Sequence, residues 1–467
     1  MSDHHPAPHL APSRARHAAI WPPGLPHHLA LPETHLFHNV EVSAQRFPDK
    51  PYLIFYDTRI SYTRFKDEAE KLAGYLQQAC GVKAGDRVLL YMQNSPQFVL
   101  AYYAILRADA VVVPVNPMNL SEELQHYVQD AQASVIFVAQ ELFLQVQPLL
   151  REGRSIGQGL QHAIVATYSD YLEVPTDLRV PDFITAARHA LDEAGAVPWS
   201  HALAQDCKPG PMQAGPDDLA VLPYTSGTTS HPKGCMHTHR SVMYNVVARG
   251  VWLGSQPDSV QLAVLPFFHV TGMQNTMNGT LYLGATAVLL PRWDREVALQ
   301  CIARYQVTGA QMISTMVVDM LNHPRIDEFD LSSLISIGGG GAAMPEAIAT
   351  KLKTLTGLDY IEGYGMSETM AATHVNPVQR PMKQCLGIPI FDVDARVVDP
   401  LTLEDLPPNE VGEIIVSGPQ VMTGYWRNPQ ADAETFIERD GQRFLRTGDL
   451  ARVDEHGYFF MVDRLKR

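Results

Sequence analysis

The chain has 467 residues, 46% of them hydrophobic, with a formal charge of -14 at pH 7 and a pI near 5.7. Single hydrophobic cores stop growing at about 250–300 residues, so two or three packed units are expected. The acidic balance offers no basic footprint for nucleic acid or anionic lipid, so an anionic substrate must be met locally, by backbone amides, a metal or a few placed cations.

The five cysteines, Cys80, Cys207, Cys235, Cys301 and Cys385, are scattered without the paired spacing of a zinc site or a disulfide framework, which fits a reducing cytosol. No run of 18 apolar residues is available for an integral membrane segment, and the N-terminus lacks the apolar core of a signal peptide. A soluble, cytoplasmic protein is expected, and nothing in the sequence speaks to its oligomeric state.

Met1 to about Pro32 is rich in His, Pro and Ala (His4, His5, His9, His17, His27, His28), the composition of a flexible leader and only weakly of a metal site. From Arg59 the pattern becomes α/β. A helix-like run covers Phe65 to Gln78, a strand Arg87 to Tyr91, a second helix Phe98 to Leu106 and a buried strand Ala110 to Val115. Arg151 to Pro216 is irregular and reads as a connection. Short apolar strands then recur at Leu219 to Pro223, Gln261 to Leu265, Ala285 to Leu290, Gly309 to Ile313, Leu334 to Ile337 and Leu358 to Ile361, most of them separated by helices. Alternation of this kind implies parallel sheets covered on both faces. After about Pro377 the texture changes to short strands and turns, as in Asp394 to Val398, Gly412 to Val416 and Tyr458 to Val462. The expected division is a leader over 1–32, α/β subdomains over 33–376, a small β subdomain over 377–462 and a hinge at 463–467.

The segment Tyr224-Thr225-Ser226-Gly227-Thr228-Thr229-Ser230-His231-Pro232-Lys233-Gly234 lies between an apolar strand and a helix-like run. Small hydroxyl residues and glycine let backbone N–H groups approach an anion closely, and Lys233 supplies one mobile positive charge. It is not a Walker loop, because the Lys stands between Pro and Gly with no Ser or Thr after it. It resembles the signature loop Thr-Ser-Gly-Thr-Thr-Gly-x-Pro-Lys-Gly of the adenylate-forming superfamily, which holds acyl-CoA synthetases, adenylation domains of peptide synthetases and luciferases, with Ser230 in place of the last internal Gly.

Ile337 runs into Gly338-Gly339-Gly340-Gly341-Ala342-Ala343, and Asp359 and Glu362 follow about twenty residues on. Taken by itself this imitates a dinucleotide fingerprint and keeps open a second reading, an NAD(P)-dependent oxidoreductase. The next motif, Glu362-Gly363-Tyr364-Gly365-Met366-Ser367-Glu368-Thr369, argues against that reading. A ring between two glycines can wall a purine, and a carboxylate beside a phosphate site can hold Mg²⁺. The motif resembles the superfamily's Tyr-Gly-x-Ser/Thr-Glu signature. The resemblance implies that Tyr364 stacks on adenine against Gly340, Gly341 and Ala342, that Glu368 binds Mg²⁺ and that Thr369 contacts the α-phosphate. Gly365, Met366 and Ser367 complete that nucleotide-binding turn.

Near the C-terminus, Leu450 to Asp454 and Tyr458 to Val462 flank Glu455-His456-Gly457, a hairpin connection. Pairing centred on His456 sets Asp449 opposite Asp463, with Arg464 alongside. By resemblance, Thr447-Gly448-Asp449 is the family's ribose-binding turn, Asp463-Arg464 its hinge, and Arg464 reaches the nucleotide. The resemblance also implies a further domain of roughly a hundred residues beyond the hinge, carrying the adenylation lysine, so these 467 residues are expected to form the larger portion of such an enzyme.

Leu265-Pro266-Phe267-Phe268-His269-Val270-Thr271-Gly272-Met273 occupies the place of the family's acid-pocket segment. Phe267, Phe268 and His269 stand where peptide-synthetase domains carry an Asp for the substrate amine, so an amino acid is not expected. An apolar acid needs no charged partner, since each buried CH₂ contributes about 0.8 kcal/mol; Met273, Met312 and Met366 are candidate lining. The expected activity is ATP-dependent conversion of an apolar, fatty-acid-like carboxylic acid to acyl-AMP, with transfer to coenzyme A. Lys233, His269, Glu368 and Thr369 are the candidate catalytic groups. A non-catalytic adenylate-binding module is the other alternative.

Overall fold

A computed structural model of the chain describes residues 16–225 and 232–465. Three sheets organise them. A seven-stranded sheet runs, edge to edge, through Ala196–Pro198, His162–Ala166, Val135–Ala139, Arg87–Tyr91, Val111–Pro114, Leu219–Val221 and His237–Thr238, with only the last pairing antiparallel. A nine-stranded sheet has a parallel centre of Tyr360–Met366, Ser336–Gly339, Gly309–Gln311, Val260–Ala263, Thr286–Leu289 and Pro51–Phe55, with antiparallel strands at both margins. A five-stranded antiparallel sheet is built from Asp394–Val398, Gly412–Ser417, Phe436–Arg439, Gln442–Val453 and Phe459–Arg464. The expected architecture, two subdomains with parallel sheets and a small β subdomain, is therefore present.

Local sequence explains the elements. Ser61 caps the helix Tyr62–Gln78 by accepting from the Arg64 N–H at 3.2 Å, and Phe65, Ala69, Leu72, Ala73 and Leu76 recur on its buried stripe. Ser95 caps Pro96–Arg107 with proline at the first turn, and residues Pro96 to Leu106 are all buried. That helix sits between layers, which is why its sequence is apolar all round.

Two expectations about organisation change. The sheets are not consecutive in the chain: Pro51–Phe55 pairs with Thr286–Leu289 in the nine-stranded sheet, while Val221 pairs with Val112 in the seven-stranded one. The stretch after Arg151 is also less irregular than its Pro and Gly content suggests. His162–Ala166 and Ala196–Pro198 add two parallel strands there, because the apolar run Ala163 to Ala166 is fully covered.

The leader, expected to be flexible through Pro32, is packed against the rest of the chain at His17 and Trp21. Trp21 meets Trp252 and Phe391 edge-on at 5.2 and 5.6 Å and stacks on His27 at 4.8 Å. His28 Nδ1 pairs with Asp392 Oδ1 at 2.5 Å, and the Leu29 N–H donates to the other carboxylate oxygen. Composition measures average polarity, whereas a single tryptophan with an apolar notch to enter anchors a proline-rich segment. His4, His5 and His9 lie outside the described residues.

Candidate active site

The phosphate-loop segment is closed at its neck. The Thr225 N–H donates to the Lys233 carbonyl at 2.9 Å, and the Lys233 N–H donates back to Thr225 Oγ1 at 3.1 Å. Ser226, Gly227, Thr228 and Thr229 lie outside the described residues. The β subdomain grips the stem below this neck: the Trp426 N–H donates to Gly234, Met236 to Gly424, and Thr423 to Met236. The same grip brings Tyr425 beneath Lys233, whose Nζ lies 4.5 Å from the ring centroid.

The Tyr425 hydroxyl donates to Glu368 Oε1 at 2.9 Å. Glu368 is buried, and burial pushes its carboxyl above the usual glutamate range, while Tyr425, Arg464 and Lys233 pull the other way. Lys233, Tyr425 and Glu368 thus form a cation–ring–carboxylate chain joining loop, β subdomain and Glu motif. Tyr425 carries no signal in the sequence as part of that motif, since it sits 57 residues from Glu368 in a segment of ordinary composition.

Thr369 departs from its expected role. It is fully buried, with its hydroxyl bonded to the Met366 N–H at 3.0 Å and the Ala371 carbonyl at 2.8 Å. It ties the turn together and has no surface for a phosphate. Ser367 is half-buried and lines a cavity with Thr225, Pro232, Phe268 and His269. The turn itself is strained, with Met370 at φ 47° and Ala371 at φ 87°. Asn245 holds it, donating to the Thr369 and Met370 carbonyls at 3.0 and 2.7 Å, and His237 Nε2 donates to the Ser367 carbonyl at 2.7 Å. Burial depresses His237 to about 4, so the ring stays neutral. Neither Asn245, on the helix His239–Leu253, nor His237, on the short strand before it, was identifiable from the sequence, because neither belongs to a motif with a spacing signal.

The glycine run is a strand end. Gly338 and Gly339 pair in parallel with Ile361 and Glu362, and the next helix begins only at Glu346. Side chains are excluded there by backbone: a Cβ on Gly340 would lie 2.5 Å from the Gly363 carbonyl. Gly341 and Ala342 are exposed beyond it, Gly341 at φ 90°. Glu362, the acid of the dinucleotide reading, is buried and accepts from the Met344 and Cys385 N–H groups at 2.6 and 3.0 Å. Asp359 pairs with Lys353. With no helix N-terminus at the glycines and neither acid free, the oxidoreductase reading falls.

Tyr364 follows on the neighbouring strand. Its hydroxyl donates to Asp449 Oδ2 at 2.6 Å, while Arg464 Nε lies 3.4 Å from Asp449 Oδ1. Burial raises the Asp449 carboxyl; the Tyr364 bond and Arg464 lower it. Asp449 sits in a tight turn: its N–H donates to Thr447 Oγ1, Gly448 adopts φ 73°, and the Gly448 N–H donates to Glu413. The hairpin register differs from expectation by one residue. Asp449 stands opposite Arg464, and Leu450 opposite Asp463, because a bulge interrupts the pairing between Leu450 and Ala451. The opposed pair is therefore an acid and a base.

A cavity begins at Gly339, Gly340, Tyr364 and Gly365 and runs along the helix His239–Leu253, where Asn245, Ala248, Arg249 and Trp252 line it. Their spacing of three and four residues is one helix face. Met273 and Met312 are buried in the main core and, like Met366, do not line it. Phe267 is also core, 5.7 Å from Phe98, with its N–H donating to Asn94. His269 is exposed near Ser367, where its Nδ1 accepts from the Thr271 N–H.

Residues 40–426 match the model of the family described as AMP-binding enzyme. The chain is 35% identical over 458 residues to a long-chain-fatty-acid–CoA ligase of Bacillus subtilis, covering 96% of this chain and 80% of the relative. It is 34% identical over 411 residues to a feruloyl-CoA synthase of an Amycolatopsis species, covering 88% and 74%. The fold matches the crystal structure of a long-chain-fatty-acid-CoA ligase from Archaeoglobus fulgidus at a TM-score of 0.81 and 24% identity, over 95% of this chain and 86% of that one. On this evidence the chain belongs to the AMP-binding enzyme family, as an ATP-dependent acid–thiol ligase that uses ATP and coenzyme A.

Proposed function

We propose that the chain activates a predominantly apolar carboxylic acid of fatty-acid type, with adenine held between Tyr364 and the Gly340–Gly341 backbone and the ribose on Asp449. The observation that carries this reading is the convergence of Tyr364, Asp449 and Arg464, from two different sheets, beside a cavity that opens at Gly340 and continues into the core. The acid would occupy that cavity, its carboxylate toward Gly365 and the phosphates.

Attack of the acid's carboxylate on the α-phosphorus forms the acyl–phosphate bond and releases pyrophosphate. Lys233 and the Ser367 hydroxyl would meet charge developing on the phosphate oxygens, and no protein nucleophile is required. His269, beside Ser367, would border the phosphates without donating a proton. Tyr425 holds the Glu368 carboxylate in place. No group of three metal-ligating side chains occurs among the described residues, which suits Mg²⁺, an ion that is commonly held by one or two carboxylates plus phosphates and water. A buried carboxylate raised by desolvation gains from a cation, so Glu368 fits that role. When bound, the ion would neutralise charge on the pyrophosphate. The described cysteines, all unpaired, suit a reducing compartment such as the cytosol.

ATP–pyrophosphate exchange measured across carboxylic acids of graded length tests the reading. Exchange rising with apolar chain length is the expected result; a response to no acid would overturn it.

A further inference from the structure

The cavity proposed for the acid is not wholly apolar. Arg249 is the one charged side chain among the described residues that line it. Its Nη2 donates to Gln261 Oε1 at 3.2 Å, and its buried Nε has no hydrogen-bond partner among the described residues. The elements packed against it offer no acid: Val260–Ala263 contributes the neutral Gln261, and Gly279–Leu283 contributes the backbone at Gly279, where a Cβ would lie 3.9 Å from Nη1. Burial alone acts on its pKa, lowering it to about 10. A guanidinium remains cationic there, and an isolated buried charge is costly unless something compensates it.

The register of the sheet places this group away from the nucleotide. Gln261 pairs with Gly309 and Gly309 with Ser336, so Gln261 stands level with Ser336, three residues before Gly339 on that strand. At about 3.3 Å per residue the separation is roughly 10 Å. Both Ser336 and Gly339 line the cavity, which therefore spans that distance. Polar side chains of Gln311, Asn275 and Thr271 border the same space.

We propose that Arg249 selects acids carrying a hydrogen-bond acceptor remote from the activated carboxyl, a second carboxylate being the strongest such group. The inference rests on the acid-activation reading above and refines its substrate class: an apolar chain bridges the two ends, and the distal oxygen meets the guanidinium where Arg249 lines the cavity. Arg249 would then be a specificity-determining residue with no part in the chemistry at phosphorus.

The test compares monocarboxylic acids with their ω-carboxy counterparts of equal chain length, using ATP–pyrophosphate exchange on the full chain. The unaltered protein should turn over the ω-carboxy acid at least as well as the plain one, despite its added charge. Arg249→Met should lower the ratio of kcat/KM for the ω-carboxy acid to that for the plain acid roughly ten- to hundredfold, the scale of a lost charged hydrogen bond. Arg249→Lys should restore part of the loss. An unmoved ratio in Arg249→Met, or an unaltered protein that rejects every ω-carboxy acid while activating the plain ones, would overturn the proposal alone. Absence of exchange with all acids would overturn the acid-activation reading and this inference with it.

Discussion

Tyr364 and Asp449, 85 residues apart, share a 2.6 Å hydrogen bond that joins the nine-stranded sheet to the β subdomain. The tyrosine ring is thereby fixed in orientation, and the carboxylate keeps Oδ1 for Arg464 and for a ligand. Removing the hydroxyl while keeping the ring separates these roles. Tyr364→Phe should weaken AMP binding about tenfold, the scale of one charged hydrogen bond, and Tyr364→Ala should weaken it further through loss of stacking. Calorimetry with AMP gives the ranking; equal losses would mean that the ring face contributes nothing.

Glu368 couples pH to stability. Its folded pKa is raised by burial above the ordinary value of 4.5, so its stabilising contribution is complete below that value and is lost as pH rises through the folded pKa. Where it ionises, the carboxylate is opposed by burial in the unliganded protein. Glu368→Gln should hold or raise the melting temperature at pH 7 without ligand, yet weaken Mg·ATP far more than AMP. A melting temperature that falls in Glu368→Gln would show that Lys233 and Arg464 outweigh burial.

Thr369 is buried within its turn, and Ser367 borders the cavity. Ser367→Ala should lower the rate of adenylate formation roughly 10²–10³-fold, the scale for one donor aimed at developing charge, with little change in stability. Thr369→Val should cost about 1–3 kcal/mol of stability by stranding the Met366 N–H and the Ala371 carbonyl. Paired unfolding and exchange measurements on the two variants decide between the assignments; an inactive but fully stable Thr369→Val would restore the earlier one.

Asn245 restrains a turn that contains two non-glycine residues at positive φ. Asn245→Ala leaves two buried carbonyls unpaired and should destabilise the protein by about 2–4 kcal/mol. Hydrogen exchange should rise at residues 366–371 before the rest of the sheet. Uniform exchange across the nine-stranded sheet would indicate that the turn is held by its neighbours instead.

The motifs were legible because their chemistry depends on short spacing. A lysine between proline and glycine after a run of hydroxyls, or a tyrosine between glycines four residues before a glutamate, specifies its local geometry through backbone constraints alone. Strands such as Arg87–Tyr91 and Val111–Pro114 were equally clear, since runs covered on both faces contain little but apolar residues. The α/β class and the site's general location follow from these local patterns. Tertiary structure decided the remainder. Hairpin symmetry cannot foresee a bulge, which inserts one residue and swaps Asp463 for Arg464 opposite Asp449. Composition cannot foresee that Trp21 finds a notch between Trp252 and Phe391. Two hydroxyls on one turn are alike in sequence, and only the fold buries Thr369 completely while leaving Ser367 at a cavity wall. Tyr425, Asn245 and Arg249 reach the site from elements with no motif of their own, because proximity across 57 or more than 100 residues is set by how the sheets pack, and residue spacing does not encode it.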